Sequence, residues 1–87
     1  MTMQKTKTVS DVMQEFMDTT NYTTLRSIEE LLDNDTHYPT YAAVHLWLNG
    51  TNPNVNKLKT IISKVDSEDA KELIRELIQA SGGNDEF

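Results

Sequence analysis

The stretch Thr40-Tyr41-Ala42-Ala43-Val44-His45-Leu46-Trp47-Leu48-Asn49-Gly50-Thr51-Asn52-Pro53 decides how this chain is read. It predicts a short helix from about Pro39 to Asn49. Proline is tolerated at the first position of a helix, and Gly50 suits a left-handed cap at its end. Val44, Trp47 and Leu48 fall on one side of that helix, while Thr40, Tyr41 and His45 can face the other. Between Thr36 and Val65 there is no Asp or Glu at all, although the 87-residue chain holds fourteen and carries a formal net charge of -6. The same window contains Lys57, Lys59, Lys64, His37 and His45. The chain is therefore acidic on average and locally basic around this one helix.

Working outward, four more helices are expected. Ser10 is a candidate N-cap for a helix that places Val12, Met13, Phe16 and Met17 at helical spacing and ends near Thr19. Thr23 or Thr24 can cap the next, with Leu25, Ile28, Leu31 and Leu32 on one face. The run Asp33 to Pro39 then breaks it, because proline disfavours helical dihedrals at Tyr38. A fourth helix follows Pro53, with Val55, Leu58, Ile61, Ile62 and Val65 as its stripe. A fifth begins near Asp66 or Ser67 and carries Ala70, Leu73, Ile74, Leu77 and Ile78, the clearest amphipathic pattern in the chain. No alternating strand pattern and no repeat interrupts this, so the fold class is all-α. Residues 1-9 are expected to be a flexible arm, 10-80 the helical domain, and 81-87 a disordered tail.

With 37% apolar and 25% charged residues the composition is that of one globular domain. No cysteine is present, which excludes disulfides and thiolate metal sites and points to a reducing cytoplasmic compartment. No apolar run approaches the ~20 residues of a membrane span, and the first ten residues lack the apolar segment of a signal peptide. A polyanion is the partner that a locally basic, carboxylate-free segment fits, since Lys and Arg contacts to phosphates release counterions. The plain alternative is that core helices leave little room for charge. That alternative does not explain why lysine enters the window and aspartate does not.

The residues Val44, Trp47 and Gly50 match in type and spacing a pattern that closes the recognition helix of one family, and Pro53 to Leu58 fits the entry to its next helix, with an interval from Gly50 to Pro53 one residue shorter than the commonest form. On these, and on Ser27-Ile28-Glu29-Glu30-Leu31 at the scaffold position, the chain from Ser10 to Val65 resembles the lambda-repressor and Cro-like helix-turn-helix domains. The stretch Asp33 to Tyr38 would give it a longer turn than usual before the recognition helix. The resemblance implies a small sequence-specific DNA-binding transcriptional regulator of phage-repressor type. Its helix 40-49 would enter the major groove of double-stranded DNA.

A groove about 12 Å wide admits one helix, and side chains near that helix's N-terminus reach the base edges. Thr40, Tyr41, Ala42 and His45 are the candidate base contacts. Thr40 can hydrogen-bond either kind of edge, Ala42 can meet a thymine methyl, and Tyr41 or His45 can bond a base or a phosphate. Asn49, Asn52, Asn54, Asn56 and Lys57 are the candidate phosphate contacts. Trp47 is read as core. Regulators of this kind commonly bind as symmetric dimers, and Leu73, Leu77 and Ile78 of the fifth helix are the candidate dimerisation residues.

No cysteine nucleophile, phosphate loop, serine elbow or distinct carboxylate pair is present, so no enzyme activity and no cofactor is expected. The cluster Asp33, Asp35 and His37 fits neither a zinc spacing nor a calcium loop, so no metal is expected. The competing reading is an acidic protein-binding module, an inhibitor, anti-repressor or adaptor that presents the carboxylates of the first, second and fifth helices to a protein partner.

Overall fold

The computed structural model describes residues 7–82, apart from the side chains of residues 35 and 36. Over that span the chain forms five helices and no strand: α1 (Val9–Thr19), α2 (Leu25–Thr36), α3 (Tyr41–Leu48), α4 (Val55–Ile62) and α5 (Glu68–Ala80). The all-α expectation holds. The parts of the expected arm and tail at residues 1–6 and 83–87 lie outside the described residues.

Each helix starts on a side chain that satisfies an otherwise unpaired N–H of its first turn. Thr24, Thr40, Asn54 and Ser67 cap α2, α3, α4 and α5 by accepting from the N–H groups of Ser27, Ala43, Lys57 and Ala70. For α1 the cap is Thr8, two residues before the expected Ser10. The Thr8 hydroxyl accepts from the Asp11 N–H at 3.0 Å and the Asp11 carboxylate accepts from the Thr8 N–H at 3.2 Å. This reciprocal pair satisfies two donors at once, which Ser10 could not match. Thr8 and the buried Val9 therefore belong to the folded domain and not to a loose arm. Lys7 is tied in as well, through an ion pair with Glu15 of α1 and a second with Glu76 of α5 at 3.6 Å.

The largest departure from expectation lies between α2 and α3. Helix α2 runs on through Asp33-Asn34-Asp35-Thr36, so four residues separate the two helices and the long turn disappears. It ends on His37, whose φ of 59° is left-handed and whose N–H bonds back to the Asp33 carbonyl at 2.8 Å. A histidine thus fills a position that glycine occupies most easily. Pro39 is buried and precedes Thr40, so α3 starts at Tyr41, not at Pro39. At its far end α3 closes as expected. Gly50, at φ 102°, donates to the Trp47 carbonyl at 3.0 Å, and Thr51 donates to that of Leu46 at 2.9 Å. That pair of bonds defines the Schellman termination, and only a residue free to adopt positive φ sits easily within it.

Helix α1 lies at the centre, packed on α3 and on α5; α2 packs on α3, and α4 on α5. The core gathers Val12, Met13 and Phe16 of α1 with Ile28 and Leu32, Val44 and Trp47, Leu58 and Ile61, and Leu73, Ile74, Leu77 and Ile78. Leu73, Leu77 and Ile78 are each 0% exposed in the single chain. Their assignment to self-association is therefore corrected. The Leu and Ile stripe of α5 is buried against α1 and α4 within the single chain, and of the apolar residues of that helix only Ala80 is partly open.

Candidate nucleic-acid interface

Helix α3 turns Val44 and Trp47 into the core, at 0% and 3% exposure, and half-buries Ala43 and Leu48. Its outward surface is then Tyr41, Ala42, His45, Leu46 and Asn49, residues one turn apart in two adjoining rows. Of the assigned base contacts, Tyr41, Ala42 and His45 are all on this surface. Thr40 stands at its N-terminal edge, exposed, with its oxygen accepting from the Ala43 N–H at 3.3 Å. Its hydroxyl proton is left to donate, so Thr40 can address acceptor atoms of a partner.

One row is ordered by its own contacts. The rings of Tyr41 and His45 stack at 6.5 Å between centroids, and the His45 Nε2 lies 3.1 Å from the Asn49 amide nitrogen. The Arg26 guanidinium, from the first turn of α2, sits over the Tyr41 ring at 4.8 Å. On the other tyrosine near the Thr40 cap, the Lys57 ammonium from the first turn of α4 stands over the Tyr38 ring at 4.9 Å. Desolvation raises the Tyr38 phenol above its ordinary value of 10.0. Cations from two different helices are therefore each held over a π-face, Arg26 over Tyr41 in the first turn of α3 and Lys57 over Tyr38, whose ring lies 6.3 Å from that of Trp47 in the last turn.

The assigned phosphate contacts divide. Lys57 and Asn56 are exposed on the first turn of α4, and Asn52 is exposed in the connection before it. Asn54 spends its side-chain oxygen on capping α4, at 3.1 Å from the Lys57 N–H. Asn49 lies at the C-terminal end of the eight-residue α3, about 13–14 Å along its axis from Thr40. These two are placed as helix-end residues first.

Two members of this surface were not anticipated. Arg26 lies outside the carboxylate-free window, and only the packing of α2 on α3 brings it to Tyr41. Leu46 is 49% exposed and Tyr41 42%, the large apolar side chains left open among the described residues. The signal for Leu46 was present in the spacing, since positions 41, 42, 45, 46 and 49 form one helical face opposite Val44 and Trp47.

No described helix is long and apolar enough to cross a membrane. No family model matches the chain, and neither a curated protein nor a solved structure matches it.

Proposed function

We propose that the protein is a small sequence-specific regulator that binds double-stranded DNA by laying α3 in the major groove. The observation that carries this reading is the outward surface of α3 itself. Tyr41, Ala42, His45, Leu46 and Asn49 form a carboxylate-free face, Arg26 approaches the end that would reach the bases, and Lys57 is held over Tyr38 in the connection before α3. A carboxylate placed there would oppose the phosphates. The four-residue connection from α2, and the packing of α2 on α3, support the likeness to lambda-repressor and Cro-like helix-turn-helix domains. In this reading Thr40, Tyr41, Ala42 and His45 meet base edges, while Lys57, Arg26, Asn52 and Asn56 hold phosphates. The protein would act in the cytoplasm, and a homodimer would have to use a surface other than the apolar stripe of α5.

Mobility-shift titrations on mixed-sequence duplexes at two salt concentrations test the proposal. Binding should weaken steeply with salt. Lys57→Ala should lower affinity for all duplexes alike and reduce the magnitude of the salt slope by about one. Thr40→Ala should relax preference at one or two base positions, worth ~1–3 kcal/mol each, with the slope unchanged. A second reading has its own observation, the exposure of Leu46 and Tyr41, which a protein partner would cover as readily as a duplex. If no duplex binds at low salt, that reading leads.

A further inference from the structure

The solvent face of α3 carries an unusual mixture for a surface that is to meet DNA. Its helix, Tyr41-Ala42-Ala43-Val44-His45-Leu46-Trp47-Leu48, has no Arg, Lys, Gln, Asp or Glu. Guanine is most often read by Arg or Lys, cytosine by Asp or Glu, and adenine by Asn or Gln. The first two chemistries are missing from α3 altogether. For the third, the one amide on this face belongs to Asn49 at the far end of the helix, and its nitrogen already lies 3.1 Å from His45 Nε2. What remains at the centre of the face is apolar: Leu46, half-exposed, one turn beyond the exposed Ala42 and adjoining the Tyr41–His45 stack.

In the major groove one base-pair feature is itself apolar, the C5-methyl of thymine. Resting on the DNA-binding reading above, we infer that Leu46 is a specificity-determining residue that packs with Ala42 against thymine methyl groups. The charges say which partner covers this apolar patch. Arg26 stands over Tyr41 in the first turn of α3 and no carboxylate occurs between Thr36 and Val65, so the surroundings complement a phosphate backbone. Ala42 and Leu46 are four residues apart, about 6 Å along the helix axis, which spans roughly two base-pair steps of about 3.4 Å each. The target is thus a site with thymines about two steps apart, and discrimination comes from methyl burial instead of bidentate hydrogen bonds.

Alternating poly(dA-dT) duplex and the same duplex with uracil replacing thymine differ only by those methyls, and they provide the probe. The full-length protein should bind the thymine duplex about fourfold more tightly for each methyl covered, from the ~0.8 kcal/mol of one buried carbon. Leu46→Ala should bind the uracil duplex as the wild type does and lose most of the preference for thymine. Retained helical circular dichroism establishes that this variant is folded. Equal wild-type affinity for the two duplexes, or an unchanged preference in Leu46→Ala, overturns the inference while leaving the DNA-binding reading standing. Failure to bind either duplex at low salt overturns both.

Discussion

Helices α3 and α5 are both rich in apolar residues, yet they treat them in opposite ways. In α5 every Leu and Ile is buried against α1 and α4, and its outward side is Glu68, Asp69, Glu72, Arg75 and Gln79. In α3 the apolar residues run around the helix, so that burying Val44 and Trp47 leaves Tyr41, Ala42 and Leu46 in solvent. A helix whose apolar stripe is consumed by the core asks nothing of a partner. One that keeps a leucine and a tyrosine open, with the Arg26 guanidinium held over that tyrosine, offers a contact surface. The more strongly patterned helix is therefore the structural one, and the less patterned helix is the candidate for function.

The sharpest way to break this comparison is to truncate the buried face of each helix. Leu77→Ala in α5 should cost ~2–5 kcal/mol, and Trp47→Ala in α3 ~3–5 kcal/mol, the ranges for removing large apolar side chains from a packed core. Urea unfolding followed by circular dichroism reads both. A cost below about 1 kcal/mol for Leu77→Ala would mean that α5 is not anchored by its stripe, and would reopen it as a subunit interface. Such a result at Trp47 would dissolve the distinction between the inner and outer faces of α3.

The elements themselves were legible because apolar spacing and cap chemistry agree for most of them. Ile28, Leu31 and Leu32, or Leu73, Ile74, Leu77 and Ile78, recur at helical intervals, and Thr24, Asn54 and Ser67 stand where caps are needed. What could not be read is whether a stripe faces its own core or another subunit, since both ask for the same residues. Leu73, Leu77 and Ile78 read equally well as a dimer seam or as core, and the fold buries them within the single chain. The extension of α2 through Asp33–Thr36 was hidden for a different reason. Asp and Asn favour turns locally, and here the fold keeps them helical until His37. Positions 41, 42, 45, 46 and 49 share a face, but in a helix that is apolar nearly all round the spacing marks Leu46 as exposed only once Val44 and Trp47 are placed in the core. Arg26 reaches the site through tertiary packing, which spacing does not encode.

The turn before α3 allows the comparison to be refined at smaller cost. Helices α3 and α5 are followed by Gly50 and Gly82, at φ 102° and 85°, but α2 exits on His37 at φ 59°. A left-handed conformation costs an L-residue about 1–2 kcal/mol, part of which a glycine returns through the greater freedom of the unfolded chain. The His37 side chain is exposed, so its removal should forfeit little packing. His37→Gly should therefore raise stability by about 0.5–1 kcal/mol, read as an increase in Tm of a few degrees. A decrease would reveal that the imidazole itself holds the turn that sets α3.

The smallest expected effect on stability is at Leu46, and it tests the comparison from the outer side. Half of that side chain is already in solvent, so Leu46→Ala gives up only part of the ~1.5–3 kcal/mol that full burial of a leucine is worth. Alanine also has the better helix propensity, which offsets some of the loss. Urea unfolding should place the net change below about 1 kcal/mol, well under the cost at Leu77 in the fully buried stripe. Equal costs at the two leucines would mean that Leu46 supports the fold as Leu77 does. A small cost at Leu46, with partner binding weakened, would separate the two roles: α5 spends its leucines on holding the domain together, and α3 keeps one for contact.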